Sequence, residues 1–253
     1  MDGDKLLREV GLTRGQIMDP LWRGKSEKLA RLVQLVWLAL NDEFMGFTEH
    51  RCKVGTFAMI CHSILGEESL ERALQKGVLF YSFVTDDIRM ALEKTDDEVI
   101  FQVIFDKPEL DPHHYFHEFW LSIWYRLTSW LGGTLAPLSK VTFSYPRPDV
   151  RIEEFKYMFP AEYEFDAKIT SLVFRRDHLQ SPITRSKVEL KEFLSVAPLG
   201  FMTIPADVTS YGRRIRNLLL PSRRLPLEFP EFEEVAVQLG CRFSRLLRLN
   251  KLF

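Results

Sequence analysis

The densest run of side chains able to do chemistry is His113, His114, His117 and Glu118, in the segment HHYFHE. On a helix, His113 and His117 lie one turn apart, as do His114 and Glu118, so each pair shares a face. Two neutral imidazoles one turn apart can ligate a metal together. A metal site also needs further ligands, but no supporting spacing supplies them, and the run is not HExxH. Polar decoration, capping of a helix start, or a pH-sensitive or ligand-contacting imidazole fit the same residues. The run opens an aromatic stretch containing Tyr115, Phe116, Phe119, Trp120, Trp124, Tyr125 and Trp130. Aromatics on every side of a helix mark one buried between layers, where they pack as core. Some could instead line an apolar pocket in which a His or Arg126 orients a ligand's polar group. The candidates for ligand contact are His114, His117, Trp120 and Trp124. No metal ligand, cofactor or catalytic residue is assigned.

Nucleophile chemistry finds little support. There is no GxSxG, no Gly-rich phosphate loop and no Cys in a catalytic signature. Cys61 and His62 are neighbours in sequence, and on a helix their side chains diverge. The expected role is therefore not enzymatic.

A second chemical asset is a basic end. From Arg213 onward nine basic residues face four acidic ones, although the whole chain carries a net charge of −1. In Tyr211–Leu220 the spacing predicts a short amphipathic helix. Arg213, Arg214 and Arg216 lie on one side of it, with Ile215, Leu218 and Leu219 on another. These three arginines are the candidates for DNA contact, through phosphate neutralisation. A Pro- and Arg-rich break follows. Then Glu231–Leu239 repeats apolar residues at Phe232, Val235, Ala236 and Leu239, and Gly240 stands where a helix ends.

The elements that must position these residues read as an α+β arrangement. Helices are expected at Lys5–Val10, at Glu27–Leu40 with Ser26 as cap, at Thr56–Leu65 and at Ser69–Val84. Ile88, Met90 and Leu92 alternate with polar residues, and Val99–Phe105 is β-branched and aromatic, so the two form a hairpin. Asp111-Pro112 predicts a helix start, with the helix running to about Leu131 and ending at Gly132-Gly133. Strands are expected at Lys140–Tyr145, Tyr163–Phe165 and Leu172–Arg175, and helices at Ile152–Phe159 and Lys187–Leu194. The fold expected is helices packed on an antiparallel sheet, followed by a short all-α appendage. Its core should include Leu32, Val36, Phe80, Val103, Phe105, Trp120, Trp124, Val141, Phe143 and Phe174. Pro198, Gly200 and Pro205 give residues 196–206 the chemistry of a linker between residues 1–195 and 207–253.

Composition agrees. At 253 residues, 46% hydrophobic and 27% charged, the chain can bury a core of one domain plus an appendage. Three cysteines without CxxC spacing favour reduced thiols and a cytoplasmic location. The N-terminus has no apolar signal core. Charges interrupt the apolar stretches before they reach membrane-spanning length.

Two sets of residues carry a resemblance. Pro230, Glu234, Val235, Ala236, Leu239 and Gly240 resemble the opening of the first helix-turn-helix unit in the DNA-binding domain of AraC-type transcription regulators. The expected capping Ser two positions after the Gly is missing, and no second unit follows. Leu6–Leu12, Gly55-Thr56-Phe57, Leu70–Leu74, His117–Trp130, Val141–Pro148, and Phe165–Phe174 with Leu179–Pro182 resemble, in order, the arabinose-binding-like sensor domain of one branch of that family. The resemblance implies a sensor for a small cytosolic metabolite and an incomplete helix-turn-helix region. DNA binding is then expected to be weak or lost. A homodimer, or pairing with a full-length relative as a non-DNA-binding interaction protein, is implied too. A His-cluster metalloenzyme is the remaining alternative. Arabinose itself is not implied as ligand. Cys241–Phe253 reads either as a basic amphipathic helix for a membrane surface or as the product of a lost reading frame. The second fits better, because the resemblance stops where this tail begins.

Overall fold

The computed structural model describes residues 2–19, 22–148 and 152–202. The helices expected at 211–220 and 231–239, and Arg213, Arg214 and Arg216 with them, lie outside these residues.

The described chain opens with α1 (Gly3–Glu9), where the Asp2 carboxylate accepts the N–H groups of Asp4 and Lys5. Next is α2 (Arg14–Met18), a single turn and a half closed by a capping box between Thr13 and Gln16. Then come α3 (Ser26–Leu40), α4 (Thr56–Ile64) and α5 (Leu70–Val84). Ser69 caps α5 by accepting the N–H of Arg72. In α3, by contrast, Ser26 is the first helical residue and not the cap; Lys25 occupies that position without a side-chain bond. The hairpin β1 (Ile88–Lys94) and β2 (Glu98–Phe105) leads into α6 (Tyr115–Gly132), the longest helix described. After it come β3 (Leu138–Thr142), α7 (Ile152–Met158), β4 (Glu162–Glu164) and β5 (Thr170–Arg175). Three short helices close the described chain: α8 (Arg176–Leu179), α9 (Lys187–Ser195) and α10 (Leu199–Met202).

The five strands form one sheet in the order β1-β2-β5-β3-β4. Pairs β1/β2, β2/β5 and β3/β5 are antiparallel, as expected for an α+β fold. The edge pair β3/β4 is parallel. Its connection explains this: α7 intervenes between the two strands, and parallel neighbours need such a crossover rather than a hairpin. Alternation decides the faces. Val99, Phe101 and Val103 of β2 are buried, as are Leu172 and Phe174 of β5 and Val141 of β3. The opposite face carries the polar row Gln102, Ser171 and Thr142, which lie side by side in register.

The core is built around α6, which is buried along nearly its whole length. Trp124 is fully enclosed, 5.3 Å from Phe101 of the sheet and 5.9 Å from Tyr81 of α5, measured between ring centroids. The ends of α6 are tied to neighbours. At its C-terminus Gly133 adopts a left-handed φ of 75°, and the carbonyls of Trp130 and Leu131 accept from Arg185 and Thr184. Of the expected core residues, Val103, Trp120, Trp124, Val141, Phe143 and Phe174 are buried. Phe80 and Phe105 pack on the core from partly buried positions, while Leu32 belongs to a smaller cluster with Leu7, Val10, Leu12 and Leu35. Within residues 196–202, α10 packs Phe201 against Phe57 and Phe193, and Gln34 donates to the Ala197 carbonyl.

Gly77 marks the closest approach between helices. A Cβ there would meet the Trp124 ring at 2.4 Å. Alanine at this position gains about 1 kcal/mol of helix propensity. It must also displace a fully buried indole, which costs about 1–3 kcal/mol. The clash should win, so Gly77→Ala is expected to lower unfolding free energy in urea. Trp124→Ala should cost about 3–5 kcal/mol by leaving a cavity. A stabilised Gly77→Ala protein, or a Trp124→Ala loss below about 1 kcal/mol, would contradict this packing.

Candidate functional site

The His run is organised by Asp111 rather than by helical spacing. Helix α6 begins at Tyr115, three residues later than Asp111-Pro112 suggests. His114 takes the N-cap position in the left-handed conformation, φ 57°, and makes no side-chain cap bond. Asp111 reaches over from the preceding turn instead. Its Oδ2 accepts the N–H of Phe116 at 2.8 Å and of His117 at 3.0 Å, the orphan donors of the first turn. The same oxygen takes the His117 ring at Nδ1, 2.7 Å away. His113 therefore lies outside the helix, exposed, and does not share a helical face with His117. The ring of His114 stacks on Tyr145 at 3.9 Å, and the Tyr145 hydroxyl donates to Glu118.

Asp111 and His117 are both buried, at 2% and 4% exposure. Burial alone would raise the Asp111 carboxyl. The His117 ring and the backbone N–H groups of His117 and Phe116 outweigh it and hold the pKa below its ordinary value. With Nδ1 donating to the carboxylate, Nε2 is the ring atom left for another partner. Phe105 covers one side of the imidazole, 3.8 Å between centroids.

His117 lines a crevice of about 540 Å³ at one end of the sheet. The crevice exists because the strands are staggered. Strand β5 begins at Thr170, opposite Val103, so Ile104 and Phe105 of β2 run on without that neighbour. The turn before β5 brings Lys168 and Ile169 to the gap, and the chain leaving β3 brings Ser144. Ile104, Phe105, Pro108 and Ile169 supply apolar walls. Several of the polar groups are already paired: the Ser144 hydroxyl with Thr170, and the Gln102 amide with Glu93. Lys168 has no hydrogen bond or ion pair to a described residue. An apolar hollow with a few placed polar groups is the usual form of a small-molecule site. A larger hollow of about 660 Å³ lies near Asp96, Ser139 and Arg176. Charged and polar residues line it throughout, and its Arg175 is paired with Asp177, so it lacks the apolar wall.

Of the four residues singled out for ligand contact, His117 lies in the crevice and His114 lies one ring away, 5.7 Å between centroids. Trp120 and Trp124 sit in the aromatic core with Tyr81, and they are not among the crevice residues. Arg126 is used structurally. Its guanidinium donates to the Tyr157 and Met158 carbonyls at the end of α7, where free carbonyls need a donor. Cys61 is buried beside an exposed His62, so the two diverge. Sequence reasoning missed Lys168, Ser144 and Thr170. Lys168 stands in a turn with no periodicity to mark it, Ser144 read only as part of a strand, and Thr170 lies ahead of the strand expected at Leu172–Arg175. Among the described residues, Glu49, His50 and Asp87 form a group whose ligand atoms lie within 4.8 Å of one another. The His run forms no such group there.

Residues 1–183 match the family model described as the arabinose-binding domain of AraC transcription regulator, N-terminal. No curated protein matches the sequence. The solved structure of the transcriptional regulator CdpR from Pseudomonas aeruginosa aligns over 98% of this chain and 78% of its own, at 18% identity and a TM-score of 0.43.

The Asp111 carboxylate should carry measurable stability with a definite pH signature. Asp111→Ala removes a helix cap and strands buried donors, at a cost of about 1–3 kcal/mol near neutral pH. A carboxyl whose pKa is depressed by folding stabilises above its unfolded value, about 3.9, and loses that stabilisation as pH falls through the folded pKa. The stability gap between wild type and Asp111→Ala should therefore narrow below about pH 4 in urea titrations. A gap that stays constant down to pH 2.5 would show that the charge contributes nothing.

Proposed function

The chain belongs to the family defined by the arabinose-binding domain of AraC transcription regulators, and from that premise we propose that residues 1–195 sense a small effector in the crevice beside His117. The observation that carries this reading is the pairing of a buried, oriented imidazole with an unpaired Lys168 in one partly apolar hollow. Every described residue lining that hollow lies within the matched span 1–183. The role proposed is binding rather than catalysis. Asp111 and His117 serve the start of α6, and no nucleophile signature accompanies them. Among the described residues no helix is long and apolar enough to cross a membrane.

DNA is the second proposed partner, reached through the segment carrying Arg213, Arg214 and Arg216. The residues that resemble the family's first helix-turn-helix unit stop at Gly240, and the expected Ser cap does not follow. Phosphate contacts by those arginines carry no base information. A regulator of this make-up holds DNA weakly and without strong preference.

A thermal-shift screen of metabolites tests the sensor role. An effector present at about 100 times its Kd stabilises by about 2.7 kcal/mol. Ile104→Trp should fill the crevice and abolish that shift. It should leave the unliganded protein within about 0.5 kcal/mol of wild type, because Ile104 is 41% exposed. A ligand that shifts both proteins equally would place the effector site elsewhere. The DNA reading is checked by gel-shift titration against the region upstream of the protein's own gene, with random competitor, at two salt concentrations. Weak, salt-sensitive and sequence-indifferent binding is expected. A clear preference for the upstream region at physiological salt would overturn it.

A further inference from the structure

The crevice also constrains what it can hold. A sugar requires several open hydrogen-bonding groups, because each buried hydroxyl left unpaired is costly. Here the Ser144 and Thr170 hydroxyls are bonded to one another, and the Gln102 amide donates to Glu93. Neither the Lys168 ammonium nor Nε2 of His117 has a hydrogen bond to a described residue. Lys168 favours an anion by charge. Ile104, Phe105 and Ile169 leave apolar surface for the rest of the ligand. The Glu93 carboxylate opposes a second negative group.

Resting on the reading of this crevice as the effector site, we infer that its ligand is a small organic monocarboxylate with an apolar body, the carboxylate held by Lys168.

The test is isothermal titration of the full chain with 3-phenylpropionate, its neutral amide, and phenylsuccinate. The monocarboxylate should bind, and the amide and the dicarboxylate should bind at least ten times more weakly. Lys168 is exposed, so its variants should fold normally. Lys168→Met should weaken the monocarboxylate about 10- to 100-fold, and Lys168→Glu should abolish binding. Equal binding of the amide that Ile104→Trp still blocks would overturn the carboxylate inference and leave the crevice as effector site. No binding by the monocarboxylate, or Lys168→Met binding as wild type does, would overturn it too. If 3-phenylpropionate and the hits of the metabolite screen all bind Ile104→Trp unchanged, the effector-site reading itself fails.

Discussion

The bonds converging on Asp111 Oδ2 set much of what surrounds them. One buried oxygen accepts two backbone donors and an imidazole. A neutral acceptor could satisfy some of these donors, but a carboxylate does so with charge-assisted strength and without giving up its hydration for nothing. The consequence is geometric. The first turn of α6 is pinned to the turn before it, and His117 can rotate only by breaking the same cluster of bonds. A catalytic or ligand-binding side chain held in this way is pre-organised, because its rotamer is settled before any ligand arrives.

From that start α6 runs through the interior with no solvated face. A helix of this kind cannot find its orientation from amphipathicity, so shape must fix it. The contact of Gly77 with Trp124 does part of this work, since any side chain on α5 at that point would hold the two helices apart. The aromatic rings do the rest. Tyr81, Trp120 and Trp124 meet edge to face, an arrangement whose attraction depends on angle as well as distance. A core of aliphatic residues would tolerate sliding more easily.

Sequence reading succeeded where a local signal decides the structure and failed where a distant contact does. The hairpin and the Gly132-Gly133 stop were legible because alternation and a left-handed glycine act within a few residues. Ser26 misled, since a good capping residue is only one competitor for the position and the chain entering α3 places Lys25 there. Asp111 was recognised as a capping carboxylate but assigned to the wrong register. The extra turn through His114 is visible only once the carboxylate is seen to reach forward across it. Pairing direction at β4 was equally hidden, because a three-residue strand carries the same pattern in either sense. In the candidate site His117 was legible from its surroundings in the chain. Lys168 was not, because it joins His117 through the stagger between β2 and β5, a property of register that no single segment encodes.

The same stagger gives α6 a further significance. At one end the helix presents His117 to the crevice. At the other, Trp130 stacks on Phe193 at 4.3 Å, and Phe193 packs in turn on Phe201 of α10. An 18-residue helix spans about 27 Å, and it is stiff because its backbone bonds are internal. Packed contacts of this kind are a necessary ingredient of communication between distant parts of a protein. They become effective only when a ligand binds two arrangements with different affinity. The start of α6 is where such a difference can arise, because the imidazole facing the crevice and the first turn of the helix share one carboxylate. A ligand that draws on His117 must alter the strength of the bonds that hold the helix in place.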